Sequence, residues 1–445
     1  MNAASWPVVS GAKPGAGHYE EFTRHPARFL LRAYRECGEI AEFDLGGARH
    51  VLLSSPAAYE AVFRAPDDQL SASEPYRFMV PVFGEGIQFG APLELERQQV
   101  KMQSNALRVD RMKGYAQVIA GEVEDWVARW EDAGERDFYD ELKELVLRTS
   151  THCLMGSDFR AKLTDEFGAL YQDLEHAVSA ASIVDPYGQD AAFARRDRAR
   201  ARLVDLISGV IHERRRSGAH SPDMLQSFME AAYLDGRRLT DDEIVGMVIW
   251  IMFAGFHTSS NTATWTIVEL ARHPEHAARV VREIDSVYAP GGALAHTALR
   301  ELPALERFVF EVLRIHPPLV TLMRLVKRDF DVLGRTIPAG AVIVASPYVA
   351  HRLPDVYADA ERFDPERTFP ENVFAYIPFG AGRRKCVGNA FALLQVKAIF
   401  TALLARHRFA LVDPPESYQD EMPSLILRTS EPCRLRFERR TAAQR

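Results

Sequence analysis

One long apolar segment constrains the fold of this chain more than any other feature. Ile244 to Phe256 is an uninterrupted apolar run inside a segment that begins at Thr240, with Glu243 three residues later, and ends before Pro274. Thr followed by Glu at this spacing caps a helix N-terminus, and proline cannot continue a helix. The sequence therefore predicts a helix of roughly 30 residues, about 45 Å long at 1.5 Å per residue. A helix of this length needs a large core around it.

The centre of this predicted helix is polar, in contrast to the run that leads into it. Gly255, His257 and Thr258 lie there, followed by Ser259 and Ser260. Polar groups that are buried this deeply require hydrogen-bond partners or a chemical function. His257 is open to two interpretations, a hydrogen-bonded core histidine and a functional group.

Composition and local patterns set the fold class. With 445 residues, 47% hydrophobic and 26% charged residues, the chain has the composition of a folded globular protein. Short strands are predicted only in a few places, including a hairpin across Gly46-Gly47 and a β-branched patch from Phe330 to Ala345. These patterns indicate a mainly α protein with small β-sheets and a β-rich part to about residue 75, and they leave a single large domain open.

The net charge and the N-terminal residues indicate which partners and which cellular location to expect. The net charge of −7 provides no positive field for nucleic acid, so a nucleic-acid partner is disfavoured. Met1 to Gly17 is small and polar and lacks the pattern of a signal peptide or a membrane span. The sequence thus predicts a cytoplasmic protein without a membrane anchor.

One of the four cysteines lies in a distinctive context. Cys386 follows a glycine-rich segment that begins at Phe379, and a predicted helix from about Gly388 to Arg406 begins next to it. A helix N-terminus and neighbouring cations lower the pKa of a thiol, which makes a thiolate available as a nucleophile or metal ligand. An inert buried cysteine, a nucleophile and a nucleotide-binding loop are the alternatives from these residues alone.

The segment from Phe379 to Gly388 resembles the haem-binding signature of the haem-thiolate monooxygenases, the cytochrome P450 superfamily. Phe379, Gly382, Arg384, Cys386 and Gly388 match that pattern. The resemblance implies one domain over residues 1–445, with haem b as the cofactor, held between the long central helix on the distal side and the cysteine loop on the proximal side. It makes Cys386 the iron ligand and places Phe379 and Gly388 around its sulfur.

Two further segments match the same family. Glu311 and Arg314 correspond to its Glu-x-x-Arg pair, and Arg367 corresponds to the third member of that ion network. Ala254 to Thr258 resembles its oxygen-binding segment. The resemblance implies that Gly255 leaves room for dioxygen and that Thr258 relays protons to it, beside His257.

Several longer stretches resemble the sterol 14α-demethylase subfamily, and the likeness runs from about Val9 to Arg439. It implies that Arg384, Tyr76 and Arg324 contact the haem propionates, with Arg97 as a further candidate, and that Glu175 pairs with His257. It also implies a hydrophobic polycyclic substrate, a sterol or terpenoid, contacted by a set of mostly large apolar side chains: Phe78, Met79, Phe83, Phe89, Phe253, Phe256, Leu319 and Met323.

The chain also departs from that subfamily. Gly90 stands where it usually has Asp or Ala, Phe256 fills a position that is often polar, and Gln99 replaces a basic propionate contact. These differences keep a second hypothesis open, a cytochrome P450 hydroxylase of a terpenoid or other bacterial secondary metabolite. A haem sensor or peroxygenase is a more distant alternative.

The resemblance further implies the partners of the reaction. Dioxygen is the oxidant, and electrons come from a ferredoxin with its NAD(P)H-dependent reductase, because the chain carries no flavin or iron–sulfur segment of its own. Arg383, Lys385 and Lys397 are candidates for a basic docking surface near Cys386.

Overall fold

The computed structural model describes residues 6–162, 165–179, 182–183, 186–188 and 191–441. Helices dominate this part of the chain. In chain order they are α1 (Tyr19–Arg24), α2 (Pro26–Cys37), α3 (Pro56–Arg64), α4 (Val80–Phe83), α5 (Leu93–Ala106), α6 (Val109–Met112), α7 (Tyr115–Val127), α8 (Phe138–Met155), α9 (Ser157–Ala161), α10 (Asp165–His176), α11 (Ala191–Ser217), α12 (Met224–Glu230), α13 (Asp241–Arg272), α14 (Pro274–Val287), α15 (Pro303–Ile315), α16 (Pro347–Ala350) and α17 (Asn389–Arg406).

The strands are short and form four small sheets in the described residues. They are β1 (Ile40–Leu45), β2 (Ala48–Leu53), β3 (Leu70–Ser71), β4 (Ala133–Asp137), β5 (Leu322–Val326), β6 (Phe330–Val332), β7 (Arg335–Ile337), β8 (Val342–Ala345), β9 (His407–Leu411), β10 (Asp420–Glu421), β11 (Arg428–Thr429) and β12 (Arg434–Arg439). The largest sheet has the order β1-β2-β8-β5-β3, in which only β2 and β8 run parallel. The others are β4-β12-β9, β6-β7 and β10-β11.

The central helix α13 begins and ends as its sequence predicts. The Thr240 hydroxyl accepts a hydrogen bond from the Glu243 amide, and the Glu243 carboxylate accepts one from the Thr240 amide. The helix has 32 residues and stops before Pro274. Helices α8, α11, α15 and α17 pack around it, so α13 runs through the main core. This position explains why the run is apolar on nearly every side.

The first 75 residues differ from the expected β-rich segment. They contain β1, β2 and β3 but also the helices α1, α2 and α3, which cover more residues than the strands do. The hairpin across Gly46-Gly47 forms as predicted, with Leu45 opposite Ala48. The extra helices bury an apolar stripe, as Phe29 and Leu30 of α2 show, against the same main core.

Among the residues that the structure describes, two helices, α13 and α17, are long and apolar enough to cross a membrane by length and composition. Within each, 72% of the apolar window is buried inside the protein. Burial of this extent is what a core helix shows.

Candidate functional site

The loop that carries Cys386 lies tightly against α3. The Cys386 amide donates to the Phe379 carbonyl at 2.9 Å, which closes the loop. Gly380 and Gly382 both have a φ of +65°, in the left-handed region. A Cβ at Gly382 would lie 2.1 Å from the carbonyl oxygen of Phe63 in α3, so only glycine fits there. The backbone thus fixes Cys386 directly before α17.

Cys386 is the one cysteine whose side chain is exposed, whereas Cys153 and Cys433 are buried and Cys37 is half-buried. Surrounding protein raises the pKa of the Cys386 thiol, although the Gly388 amide and Lys385 act in the opposite direction. The helix N-terminus and the neighbouring cation act in the expected direction, but desolvation of the sulfur by the surrounding protein outweighs them in the free thiol. A cationic metal at the sulfur removes that penalty, since a coordinating thiol is deprotonated.

An accessible stripe crosses the otherwise buried helix α13. Between Ile244 and Leu270 every residue is buried except Trp250, Ala254, Gly255 and Thr258. Trp250, Ala254 and Thr258 follow at intervals of four residues and so share one face. A Cβ added at Gly255 would meet nothing within 4 Å.

Thr258 carries the reactive polar group of this stripe. Its hydroxyl donates to the Ala254 carbonyl at 2.7 Å. That bond orients the hydroxyl and leaves the lone pairs of its oxygen free to accept a hydrogen bond from a proton donor. Thr258 therefore presents an oriented, accessible oxygen in the middle of the core.

His257 lies beside Thr258 but on the buried side of the helix. Its Nδ1 is 2.7 Å from a carboxylate oxygen of Glu175 in α10. Burial alone would raise the pKa of Glu175, but the charge and hydrogen bond of His257, together with Lys143, hold it at about 2. The Nε2 of His257 is buried and has no hydrogen-bond partner among the described residues. The contact thus holds α10 against α13.

Arg324 in β5 is a buried cation without a carboxylate partner in the described structure. It donates to the Met323 carbonyl at 2.7 Å, and its guanidinium lies over the Phe63 ring, 5.5 Å from the centroid. Burial lowers its pKa. The hydroxyl of Tyr76, on the same side, accepts from the Met323 amide at 2.9 Å. A buried guanidinium of this kind fits a ligand that brings its own anion.

Arg384 and Arg97 have protein partners. Arg384 donates to Glu96 at 2.7 Å and to Asp67 at 3.1 Å, and Arg97 donates to the other oxygen of Asp67 at 3.0 Å. The Arg97 side chain is 51% exposed and lies at the outer end of this network. These ion pairs balance both guanidinium groups, whereas Arg324 has no carboxylate partner in the described structure.

The three predicted members of the ion network lie together. Arg314 donates to both carboxylate oxygens of Glu311 at 2.8 Å, and both side chains are fully buried. Arg314 also donates to three backbone carbonyls, including that of His351. Arg367 approaches Glu311 to 3.5 Å and donates to carbonyls of residues 358, 359 and 362. The network ties α15 to the segment that precedes the cysteine loop.

The predicted substrate contacts are distributed unevenly. Phe78, Phe83, Phe89 and Phe253 belong to one ring cluster with Tyr76 and Trp250. Phe256 instead packs against Tyr171 of α10. Leu319 is 40% exposed and forms an isolated antiparallel β-bridge with Ile426. Met79 and Met323 lie in the main core.

Sequence reasoning missed several residues of the site. Phe63 contacts both the cysteine loop and Arg324, and Glu96 and Asp67 pair with Arg384. Gln99 bonds to Gln88 and Gly86. These two residues belong to the segment from Glu74 to Gly90, which contains four of the predicted substrate contacts and is called the substrate loop below. Pairings of this kind join residues far apart in the chain, and no local signal marks them.

Comparison with known families identifies the family to which the chain belongs. The cytochrome P450 family model matches residues 10–437. The chain is a cytochrome P450. It is therefore a haem-thiolate monooxygenase, an oxidoreductase that uses dioxygen and takes electrons from a redox partner.

The relatives of this P450 come from bacteria, plants and mammals. The sterol 14alpha-demethylase of Mycobacterium tuberculosis is 41% identical over 99% of this chain and 100% of that protein. The sterol 14-demethylase of Arabidopsis thaliana is 37% identical over 92% of this chain and 86% of that protein. The lanosterol 14-alpha demethylase of Bos taurus is 34% identical over 99% and 89%. Among solved structures, retinoic acid bound cyanobacterial CYP120A1 superimposes with a TM-score of 0.88 at 23% identity and covers 98% of this chain and 100% of that one.

Haem b is the cofactor of the P450 family, and the residues of this P450 fit it. Cys386 offers an accessible thiol at the end of a fixed loop. Ala254 and Gly255 form a small-residue face without side-chain obstruction on α13. Arg324 supplies a buried positive charge that lacks an anion in the described structure. These residues would bind the iron, make room above it and pair with a propionate.

Proposed function

We propose that this P450 oxidises the 14α-methyl group of a sterol. The observation that carries the proposal is the set of relatives named sterol or lanosterol 14-demethylase, which match at 34% to 41% identity over nearly the whole chain. The ring cluster beside α13 supports it, because flat aromatic walls suit a rigid polycycle whose binding comes from buried apolar area.

The proposed reaction is a sequence of three oxidations at one carbon. Each consumes one dioxygen, two electrons and two protons; the first and third steps release one water each, and the second releases two. The methyl group becomes an alcohol and then an aldehyde. In the third step the bond between the ring carbon and the aldehyde carbon breaks, the adjacent ring hydrogen is lost, and formate leaves with formation of a ring double bond.

The bound haem supplies dioxygen activation and the strong electron donation of a thiolate ligand. The residues of the chain do the rest. Gly255 keeps the space beside Thr258 open, and the oriented Thr258 hydroxyl accepts and passes protons. The buried contact between Glu175 and His257 lies next to Thr258 on α13. The aromatic cluster excludes water from the substrate side.

The electron donor in this proposal is a ferredoxin, reduced by an NAD(P)H-dependent reductase. Arg383 and Lys385 are exposed on either side of Arg384 next to Cys386, and they suit an acidic partner. Lys397, which we also expected at this surface, is buried and pairs with Glu306 at 2.6 Å. That expectation was wrong because α17 turns Lys397 inwards. We place the reaction in the cytoplasm.

Spectral titration and turnover test this function. Lanosterol-type sterols added to the ferric holoenzyme should shift the haem spectrum, and turnover with dioxygen, ferredoxin, reductase and NADPH should release formate. Hydroxylation without formate would contradict demethylation. Absence of both a spectral shift and a product would contradict the sterol substrate.

A second candidate substrate is a terpenoid or another bacterial secondary metabolite. The packing at Gly90 favours it, because a Cβ there would lie 3.2 Å from both the Gly84 carbonyl and Val80, so the substrate loop is closed more tightly than a larger residue would allow. This alternative would be established if the protein hydroxylated a terpenoid and neither bound nor oxidised sterols. If the protein is a haem sensor or a peroxygenase, NADPH, ferredoxin and reductase should give no turnover in the absence of peroxide.

A further inference from the structure

Trp250 occupies a special position on the central helix. It lies two helical turns before Thr258 on the same accessible face, about 12 Å along the axis at 1.5 Å per residue. Ala254 lies between them. A substrate that places its reacting carbon at Thr258 and extends along α13 towards its N-terminus therefore reaches Trp250.

The indole ring of Trp250 is held rigidly by the substrate loop. The Phe83 and Phe89 rings contact it edge-on, with centroid distances of 4.8 Å and 5.2 Å. Phe89 stacks in turn on Tyr76 at 5.0 Å, and Phe83 contacts Phe253 at 5.5 Å. Such offset and edge-on contacts stabilise one ring orientation. The indole thus has little freedom to move when a ligand enters.

The indole N–H of Trp250 has no hydrogen-bond partner among the residues that the structure describes, and the residue is only half-buried. The two rings that contact it in the described structure, those of Phe83 and Phe89, carry no polar or charged group. An N–H in such surroundings gains most from a neutral oxygen acceptor, because a charged group would be left without compensation.

We propose that Trp250 is a specificity-determining residue that donates a hydrogen bond to a neutral oxygen, an alcohol or a ketone, on the end of the substrate remote from the oxidised carbon. The inference rests on the proposed function, since it takes the substrate to be an oxygenated polycycle. The substrate is thus selected by two properties together. One is a flat apolar body that packs against the rings, and the other is a hydrogen-bond acceptor that reaches the indole N–H of Trp250.

Paired ligands and a conservative variant test this role. The haem-loaded wild-type protein and W250F are titrated with lanosterol and with the same tetracycle lacking its hydroxyl group, and the dissociation constants are read from the haem spectral shift. Phe keeps an aromatic ring and removes the N–H. We expect W250F to bind lanosterol about five- to tenfold more weakly and to bind the deoxy compound as the wild type does.

A matched control uses the same helix. Trp265 is fully buried and stacks on His316 at 3.6 Å, so W265F also removes an indole N–H but outside the accessible face. The ratio of the two dissociation constants should remain that of the wild type in W265F. The ratio of the two dissociation constants, measured on one protein sample, does not depend on how much of that sample is folded.

Three outcomes separate the inference from the proposed function. Equal weakening of both ligands, or of neither, in W250F overturns the role of Trp250 while leaving sterol demethylation intact. Sterols that do not bind to the wild type overturn the sterol substrate, and the comparison is then made with a tricyclic diterpene alcohol and its parent hydrocarbon. Selective weakening of the alcohol still supports Trp250, whereas equal effects, or no binding of either compound by the wild type, overturn it.

Discussion

The Nδ1 atom of His257 lies 2.7 Å from a carboxylate oxygen of Glu175, and both side chains are buried. The contact joins the central helix α13 to α10 directly beside Thr258. Ser424 donates a further hydrogen bond to Glu175 at 3.3 Å, and Lys143 contributes positive charge nearby. A buried contact in this place links the stability of the protein to the protonation of Glu175.

The Glu175 carboxylate should make the stability of the protein depend on pH. Its pKa in the folded protein is about 2, below the ordinary value of 4.5. A carboxylate with a lowered pKa stabilises the fold fully above pH 4.5, and this contribution is lost as the pH falls towards 2. Glu175→Gln should therefore lower the free energy of unfolding by ~3 kcal/mol at pH 7. The difference from wild type, measured by denaturant unfolding, should shrink below pH 4.5; a difference that does not change with pH would exclude this origin.

Thr258→Ala should retain haem but lose the coupling of electron use to product. Without the oriented hydroxyl, protons arrive at the wrong time and reducing equivalents leave as hydrogen peroxide. We expect peroxide to account for most of the NADPH consumed, measured beside product formation. Thr266→Ala is the control, because Thr266 also bonds to a helix carbonyl, at 2.7 Å, but lies off the accessible face. Tight coupling in Thr258→Ala would contradict the proton-relay role.

Removing one partner of the buried Glu311–Arg314 pair should destabilise the protein strongly. Glu311→Gln leaves a fully buried guanidinium without its counter-charge, which costs about 3–5 kcal/mol. The exposed pair of Arg436 and Glu135 provides the comparison, since Glu135→Gln should change stability by less than about 0.5 kcal/mol. Denaturant unfolding of both variants measures the contrast. Similar small effects in the two would show that the buried network contributes little.

Gly382→Ala should impair the cysteine loop more than Gly380→Ala does. Both positions share a φ of +65°, so both variants carry about 1–2 kcal/mol of backbone strain. Only at Gly382 does the new Cβ also meet the Phe63 carbonyl, whereas its nearest contact at Gly380 is 3.8 Å away. The ratio of haem to protein after purification should fall clearly in Gly382→Ala alone. Equal haem content in both variants would contradict the steric requirement.

Local sequence signals predicted the elements that depend on neighbouring residues. The capping box at Thr240 and the stop at Pro274 define α13, and Gly46-Gly47 forms the hairpin turn. Contacts between residues far apart in the chain could not be predicted from local sequence in this way. Nothing near Lys397 indicates its burial against Glu306, and nothing near Arg384 indicates its two carboxylate partners.

The chemistry of individual groups shows the same limit. Helix position predicted a lowered pKa for Cys386, but the density of surrounding protein, which only the fold determines, has the larger effect. Trp250 read as one apolar residue among many in the run from Ile244. Its accessible face and its ring contacts follow from the packing of the substrate loop against α13.

The most direct test of the whole account is the carbon monoxide difference spectrum of the reduced protein. Cys386→Ala should abolish the red-shifted band that a thiolate ligand produces, while Cys37→Ala, Cys153→Ala and Cys433→Ala should each retain it. An unchanged band in Cys386→Ala would contradict the assignment of Cys386 as the iron ligand.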